Sequence, residues 1–553
     1  MWPTVAVERR VLIVVRTVTT LSRLLDIATL LERDVRVQLV FTHDEARPAI
    51  LGDGVADALR DLRVPTITWG QATGIRFDLA IAASENDALH ELDAPILLVP
   101  HGIGFQKYYP GGRTVAGMNP ERLVHDGRVV PEVIALSHEA QREQLRESCP
   151  PAAARAVVIG DPALDRMLGS GHRAGVYRRA LGARGRRLVV VASTWGPGSV
   201  FGSAPELPYR LVTELDVDEF AVCAVLHPGI ASAHGAWMVS AWLAEAVACG
   251  LRIVRPEAGW QAALSAASVV VSGSGSLSLY SAALRRPLLL TGGSASTVAG
   301  SPAELLATGA PWLDQDIDLA DQLRSAVAGY DPRRDEAAVR RAVAGPGLSA
   351  EALRGLLYGS LRLTEPAGAA EYPLVDVPPP RSADPPALVV GVDPGDRVRI
   401  RRYPARTGGK PHLGLDFRHV VAHGTDATVT QLESASVVYT RLDHEEHGEF
   451  GEWAAETLRQ WPDASLAAAT TDRHTCLVRN RHGTTLRLSV TSTEVDPLAL
   501  ASLCYLHDVQ GTTPSTVEHV LLGERTVQVR VGRVASAAPD TRPYADDPPR
   551  KPL

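Results

Sequence analysis

The sequence lacks long hydrophobic runs. It contains no uncharged apolar stretch of about 18 residues or more, which is the length that a membrane-spanning helix needs. The apolar run at residues 11–15 is shorter than the core of a signal peptide, and no A-x-A site follows it. We therefore expect a cytoplasmic chain, and a peripheral position at the inner face of the membrane stays open.

Cysteine is scarce and basic charge is not in excess. The five cysteines are scattered through 553 residues without a C-x-x-C pair, which indicates buried thiols. The formal net charge of −7 gives no basic footprint for nucleic acid. A G-x-S-x-G nucleophile motif and a dinucleotide G-x-G-x-x-G after the first strand are also missing. We expect no nucleic-acid partner, no cofactor and no metal.

Short apolar runs rich in β-branched residues alternate with helix-like stretches between residues 11 and 291. This alternation predicts βαβ units and parallel sheets. The predicted strands of a first domain are VLIVV, VRVQLVF, TIT, DLAIAA, PILLV, VIAL and AVVIG. Those of a second domain are RRLVVVAS, FAVCAVL, LRIV, SVVVS and PLLLT. The predicted fold class is therefore α/β, with two consecutive Rossmann-like, doubly wound domains.

The pattern changes near residue 366, where a proline-dense stretch without periodicity predicts a linker. Beyond it, segments such as RVRIRRY and TVQVRVGRV alternate apolar and polar residues, which is typical of half-buried antiparallel strands. With a helix predicted around Phe450–Gln460, this indicates a smaller α+β domain. The predicted divisions are 1–170 and 171–365 for the Rossmann-like pair, 366–387 for the linker, 388–535 for the accessory domain and 536–553 for a disordered tail.

Two histidines follow predicted strands, and ligands bind open parallel sheets beyond the carboxyl ends of the strands. His101 follows PILLV and precedes Gly102, where a backbone can approach a ligand closely. His227 follows FAVCAVL and precedes Pro228, which turns the chain. A single histidine is more commonly a surface or packing residue. Two at matching strand ends would face one cleft, where histidine can take a hydroxyl proton or donate a hydrogen bond to phosphate.

A third candidate is the turn Ser272–Ser276, SGSGS, between a predicted strand and a helix-like stretch. Small residues at a helix N-terminus expose N–H donors and the positive end of the helix dipole, a seat for phosphate. The alternative is an ordinary tight turn. The segment ASTWGPGS, which includes Thr194, is a similar case after the first strand of the second domain.

The order of six short motifs resembles the CDP-glycerol glycerophosphotransferases of teichoic acid synthesis. The motifs are HG, SHEAQ, GDPALD, STWGPGS, HP and SGSGSLSLY, within about Val11–Ala328. The resemblance implies the GT-B fold, which the UDP-N-acetylglucosamine 2-epimerases also have. It further implies that His101 is the base acting on an acceptor hydroxyl and that His227 contacts the donor pyrophosphate.

The same resemblance implies that Ser274 and Ser276 hold donor phosphates. One departure is Gly273, which stands where the family's turn usually has an acidic residue. The remaining candidate residues fall into two groups. We expect Thr194, Pro228, Ser272 and Gly275 on the donor side, and Gly102, Lys107 and Asp161 on the acceptor side or cleft wall.

Three functional hypotheses remain open. The leading one is a transferase that moves glycerol phosphate, a polyol phosphate or a sugar from a nucleotide-diphosphate donor to a hydroxyl acceptor, including a polyol or lipid-linked acceptor at a membrane surface. The second is a nucleotide-sugar 2-epimerase, which needs no acceptor. The third is a catalytically inactive GT-B-like scaffold that binds a nucleotide, or a protein partner through its C-terminal domain.

Overall fold

The structure is a computed structural model that describes residues 6–47, 49, 52–109, 112–255, 258–293, 296–379, 384–405, 417–442 and 450–534. The predicted tail, residues 536–553, lies outside these ranges. The chain divides into two compact units. Of the described residues, those up to Pro385 belong to the larger unit, and those from Pro386 onward belong to the smaller unit.

The first half of the larger unit contains a parallel sheet with the strand order β3-β2-β1-β4-β5-β8-β9. A short antiparallel pair, β6 and β7, lies apart from it. The strands are β1 (Arg9–Val14), β2 (Val37–His43), β3 (Thr66–Thr68), β4 (Leu79–Ala82), β5 (Ile96–Leu98), β6 (Val124–His125), β7 (Arg128–Val129), β8 (Val133–Leu136) and β9 (Ala156–Val158).

Helices cover both faces of this sheet, since alternate β1 residues pack into different cores: Val11 and Ile13 into one, Leu12 and Val14 into the other. Such two-sided burial explains why the strands are near-continuous apolar runs. The helices are α1 (Val18–Ala28), α2 (Val55–Leu62), α3 (Trp69–Thr73), α4 (Pro120–Leu123), α5 (Glu139–Ser148), α6 (Pro150–Ala153), α7 (Pro162–Gly169) and α8 (Ala174–Ala180), with 3-10 turns at Leu89–Glu91 and Gly171–Arg173.

The second half contains a parallel sheet with the order β12-β11-β10-β13-β14. In chain order this is third, second, first, fourth and fifth, the Rossmann arrangement that the first sheet also shows. The strands are β10 (Arg187–Ser193), β11 (Phe220–Leu226), β12 (Arg252–Val254), β13 (Val269–Ser272) and β14 (Leu288–Leu290). The predicted α/β class and the predicted strands are therefore confirmed for these two sheets.

The helices of this part of the chain are α9 (Val200–Ser203), α10 (Leu207–Glu214), α11 (Pro228–His234), α12 (Ala236–Ala248), α13 (Trp260–Ala266), α14 (Ser276–Ala283), α15 (Pro302–Gly309), α16 (Leu319–Ala328), α17 (Glu336–Ala342) and α18 (Ser349–Leu361), with a 3-10 turn at Pro332–Asp335. The last helix returns to the first sheet. Leu353 and Leu357 of α18 are fully buried in the core that also contains β1.

The stretch after α18, in the predicted linker at 366–387, is mostly exposed, and Val375 anchors it to the larger unit. Val375 is 2% exposed, its N–H donates to Ser170 Oγ at 2.9 Å, and its carbonyl accepts from Tyr177 Oη at 2.8 Å. Ala387 already belongs to the first strand of the smaller unit. An apolar residue with satisfied backbone groups therefore docks this stretch, despite its proline content.

The smaller unit is a closed barrel with the order β15-β16-β22-β23-β21-β20-β19-β18-β17, in which β15 also pairs with β17. Its strands are β15 (Ala387–Asp393), β16 (Val398–Pro404), β17 (Phe417–His423), β18 (Val437–Arg441), β19 (Leu466–Thr470), β20 (Thr475–Asn480), β21 (Thr485–Ser489), β22 (Val517–Leu522) and β23 (Arg525–Arg533). Its helices are α19 (Val429–Glu433), α20 (Phe450–Gln460) and α21 (Ala501–Gln510), with a 3-10 turn at Pro497–Leu500.

This barrel corrects the expected antiparallel α+β arrangement, although the helix predicted at Phe450–Gln460 is confirmed. Parallel pairings join β16 to β22, β17 to β18 and β18 to β19. Parallel neighbours require a crossover, and α19 and α20 supply two of them. The alternation of apolar and polar residues along a strand indicates that the strand is half-buried, but it does not indicate whether the neighbouring strand is parallel or antiparallel. Within the described ranges, no helix has the length and apolarity to cross a membrane.

Candidate active site

The polar face of α1 links the two halves of the larger unit. Its bonding residues at positions 19, 22, 23 and 26 lie on one side of the helix, because each has another of them three or four positions away. The pairs are Thr19 with His227 (3.4 Å), Ser22 with Trp260 (3.3 Å), Arg23 with Tyr280 (2.8 Å) and Asp26 with Gln261 (3.0 Å). This face therefore fixes the carboxyl-end edge of one sheet against helices and loops of the other.

His227 follows β11 and has a defined ring orientation. Its Nδ1 accepts the Gly229 N–H at 3.0 Å, so the neutral ring carries its proton on Nε2. Nε2 lies 3.4 Å from Thr19 Oγ1. Desolvation, together with the positive charges of His101 and Lys107, lowers the pKa of His227 to about 4. The ring is thus neutral near pH 7, and its Nε2–H is a donor whose contact with Thr19 Oγ1 is long.

His101 lies three residues beyond β5 with its side chain reaching solvent. The protein groups around the ring desolvate its charged form and lower the pKa of His101. The carboxylate of Glu85 acts in the opposite direction, while Arg23 adds to the lowering. A neutral, accessible imidazole can accept a proton near pH 7.

Lys107 is half-buried on a segment held by the second half of the unit. Backbone bonds of 2.8 Å from Tyr108 to Ser296 and 2.9 Å from Val298 to Gln106 fix that segment. Desolvation lowers the pKa of Lys107, and no carboxylate among the described residues forms an ion pair with it. An ammonium group that is partly desolvated and uncompensated favours the arrival of an anion.

The predicted glycine-serine turn leads from β13 into α14, where Ser276 is the first helical residue. The turn meets the His101 loop closely, because a Cβ on Gly102 would lie 2.6 Å from Ser276 Oγ. A Cβ on Gly275 would lie 3.1 Å from Thr194 Cγ2. The Oγ of Ser274 is buried without a hydrogen-bond partner among the described residues. We call His101, Lys107, His227, Ser274 and Ser276 the junction site.

Other predicted residues lie beside the junction site or in the core. Ser272 is 4% exposed and accepts a 3.1 Å hydrogen bond from Ser278 Oγ, so its hydroxyl is engaged inside the turn. A Cβ on Gly273 would face the Thr291 carbonyl oxygen at 3.4 Å. Pro228 is half-buried at the first position of α11.

Asp161, expected on the acceptor side or cleft wall, is instead fully buried. It accepts from Arg23 at 2.8 Å and from Tyr280 Oη at 3.1 Å, and it caps α7 through Leu164 N at 2.9 Å. Its charge raises the pKa of Arg23, although desolvation opposes that rise. These contacts join α1, α7 and α14 through Asp161.

Two residues near these strand ends were not predicted. Glu85 follows β4 and is 5% exposed, and it accepts from Tyr109 Oη at 2.6 Å and Gly117 N at 2.8 Å. Trp195 follows β10, the central strand of the second sheet, and is 47% exposed. The sequence signal for Glu85 is the polar stretch SEND directly after an apolar strand, the same signal that identified His101.

Several solved structures align with about two thirds of this chain. No protein-family model matches it, and no curated protein matches it. A variant of the wall teichoic acid polymerase TagF aligns over 65% of this chain and 90% of its own, with 11% identity and a TM-score of 0.47. MnaA of S. aureus, solved with UDP, aligns over 66% of this chain and 100% of its own, with 11% identity and a TM-score of 0.44.

HepE of Anabaena, solved with UDP and glucose, aligns over 64% of this chain and 99% of its own, with 13% identity and a TM-score of 0.37.

Proposed function

We propose that the larger unit is a transferase that moves glycerol phosphate, a related polyol phosphate or a sugar from a nucleotide-diphosphate donor to a hydroxyl acceptor. The observation that carries this proposal is a set of donor groups at the junction site, among them an ammonium group without an ion-pair partner in the described part of the chain. These are the Lys107 ammonium group without a carboxylate partner among the described residues, the neutral His227 with its proton on Nε2, and the buried Ser274 Oγ.

A diphosphate suits this set of groups. Its oxygens accept hydrogen bonds and its charge compensates an ammonium ion, whereas a neutral ligand would leave that ion unpaired. The N-terminus of α14, an eight-residue helix, adds backbone N–H groups and a favourable dipole beside Ser274. We therefore assign the donor diphosphate to Lys107, His227, Ser274 and Ser276.

His101 is the proposed base on the acceptor side. Its neutral ring takes the proton of the acceptor hydroxyl while that oxygen bonds to the transferred group. If the group is a polyol phosphate, the new bond forms at phosphorus and a nucleoside monophosphate leaves with the electron pair. If it is a sugar, the bond forms at carbon and a nucleoside diphosphate leaves. In both reactions Lys107 and His227 stabilise the charge on the departing phosphate.

Trp195 is the proposed surface for the nucleobase. It lies just beyond β10, between the strand that precedes His227 and the strand that precedes Ser274. Its ring is 47% exposed, and stacking on an aromatic side chain is favourable for every base. The expected donor therefore spans Trp195 and the junction site.

Calorimetric titration with CDP, UDP, CDP-glycerol and inorganic pyrophosphate tests the donor site. In the variant His227→Asn the new side chain can still cap α11, but the Nε2–H donor is lost, so we expect about tenfold weaker nucleotide binding. His138→Asn is the matched control, because His138 Nδ1 caps α5 with the same 3.0 Å bond from a backbone N–H. Absence of binding by every nucleotide and by pyrophosphate would overturn the proposal.

Product analysis tests the chemistry. With CDP-glycerol or a UDP-sugar and a polyol acceptor, His101→Ala should bind the donor as the wild type does and lose transfer. Donor binding without transfer in the wild type would favour the inactive scaffold. Conversion of the donor without any acceptor would favour the epimerase.

A further inference from the structure

We propose that Glu85 is a positioning residue for His101, holding the loop that follows the histidine and placing a carboxylate toward its imidazole. This inference rests on the proposed function for its catalytic consequence. The placement of Glu85 is independent of which donor binds.

The sheet brings the two residues to the same level. Strands β4 and β5 are parallel neighbours, with Ala82 opposite Leu98 and a 2.9 Å bond from Val99 N to the Ala82 carbonyl. Glu85 is three residues beyond Ala82, and His101 is three residues beyond Leu98. Equal offsets from a paired position put both residues at one place on the carboxyl-end edge.

Glu85 is held firmly by one carboxylate oxygen. Its Oε1 accepts hydrogen bonds from Tyr109 Oη at 2.6 Å and from Gly117 N at 2.8 Å. The residue is 5% exposed. Desolvation and the Glu85 charge raise the pKa of Tyr109 to about 12, so its hydroxyl remains a donor. Both partners follow His101 in the chain, so Glu85 anchors the loop that carries the histidine.

The other oxygen, Oε2, makes no hydrogen bond to any residue in the described ranges. Glu85 also differs from the other buried carboxylates at this edge. Asp87 pairs with Arg16 at 3.0 Å and Asp161 pairs with Arg23 at 2.8 Å, whereas no arginine or lysine among the described residues bridges Glu85. Its charge is therefore not neutralised by a local cation.

The charged groups around His101 shift its pKa in opposite directions. Desolvation and Arg23 lower the pKa of His101, and Glu85 raises it. His101 and Lys107 both disfavour the charged form of His227. Glu85 is thus the group that stabilises the imidazolium formed when His101 accepts the acceptor proton. The proton stays on His101, as in the histidine–carboxylate pairs of hydrolases.

An NMR titration of the histidine rings in the full-length protein tests this assignment without substrate or activity, with the His101 signal identified through His101→Ala. Glu85→Gln keeps an oxygen for Tyr109 and Gly117 but removes the charge. We expect the pKa of His101 to fall by about one unit. Tyr109→Phe removes a loop hydrogen bond and keeps the charge, so His101 should titrate as in the wild type.

Two outcomes would overturn the proposal. If Glu85→Gln leaves the titration of His101 unchanged, the carboxylate does not act on the ring. If Tyr109→Phe shifts it as much as Glu85→Gln does, loop anchoring alone explains the effect. Glu85→Asp is the second variant, in case Glu85→Gln does not fold, and it should keep the wild-type titration because it keeps the charge.

Activity separates this proposal from the proposed function. If the wild type transfers the group, Glu85→Gln should slow transfer about tenfold, the factor that one pKa unit represents, and should leave the Kd for CDP unchanged. The acidic limb of its pH profile should move to lower pH. If the wild type binds no nucleotide, the proposed function fails, and the titration still decides whether Glu85 acts on His101.

Discussion

The carboxyl-end edges of the two Rossmann-like sheets differ in their charge. After the strands of the first sheet come Asp44, Glu85, Asp87 and Asp161, which are 7%, 5%, 6% and 0% exposed. The five residues after each of β10, β11 and β13 in the second sheet are TWGPG, HPGIA and GSGSL, which contain no carboxylate, lysine or arginine. Two sheets with the same strand arrangement therefore differ in the charge at their carboxyl-end edges.

The difference indicates a division of labour. Buried carboxylates can orient a histidine and stabilise its protonated form, but they repel a phosphate. Small uncharged residues expose backbone N–H groups to a phosphate, and they have no charge with which to tune a base. The first edge thus suits proton transfer, and the second, together with Lys107 from the loop after β5, suits binding of a diphosphate. Substitutions that remove charges at the first edge should therefore mainly change the stability of the protein. Substitutions that remove neutral contacts at the second edge should mainly change ligand binding.

The largest expected effect comes from breaking the buried ion pair at the first edge. Arg23→Met leaves Asp161 charged and buried, so the free energy of unfolding should fall by about 3–5 kcal/mol in urea denaturation. The control is Arg60→Met, which removes a 2.9 Å pair with Asp57 in which both side chains are more than 70% exposed. That change should cost at most about 1 kcal/mol. Equal losses would contradict a structural role for the buried pair.

The next effect depends on pH. Desolvation raises the pKa of Asp87 from 3.8 to about 6 despite Arg16. A raised folded-state pKa gives stability that is fully present below pH 4 and is lost as the pH rises through 6. Asp87→Asn does not undergo this loss, so its stability relative to wild type should be about 3 kcal/mol more favourable at pH 7.5 than at pH 4. If the difference in stability between Asp87→Asn and the wild type is the same at both pH values, the pKa of Asp87 is not raised in the folded protein.

A smaller effect concerns the neutral edge. Trp195→Ala should weaken CDP binding by about 1–3 kcal/mol and leave pyrophosphate binding unchanged, because stacking requires a base. Trp237→Ala is the control, since Trp237 is 78% exposed but lies on α12, away from the strand ends. Calorimetry with both ligands makes the comparison. Equal weakening of CDP and pyrophosphate would remove Trp195 from the nucleobase site.

The smallest effect on stability is expected within one turn. Ser274→Ala removes a buried hydroxyl without a partner among the described residues, so the ligand-free protein should be changed by less than about 0.5 kcal/mol. Ser278→Ala loses the bond to Ser272 and should cost about 1 kcal/mol. Of the two, Ser274→Ala should weaken pyrophosphate binding more. Thermal denaturation and calorimetry measure the two effects. If Ser274→Ala lowers stability more than Ser278→Ala does, and weakens pyrophosphate binding less, Ser274 is not part of the phosphate site.

Much of the α/β architecture could be predicted because its signal is local. Runs such as VLIVV and FAVCAVL are apolar along their whole length, which is what strands covered on both faces require. The positions of His101 and His227 follow directly from where those runs end. The barrel could not be predicted in this way, because alternation along β16 or β23 does not specify which strand lies beside it or in which direction.

The sequence by itself determined the order of strands and helices, the histidines at strand ends and the small-residue turn at α14. The tertiary structure decided which polar side chains are neutralised and which are left available. Arg23, Asp161 and Tyr280 meet across separations of 138 and 119 residues, so no local pattern could show that Asp161 is buried. Glu85 and Lys107 depend likewise on contacts from distant segments. Charge compensation is a property of three-dimensional neighbours, and hydrophobic periodicity is a property of the chain.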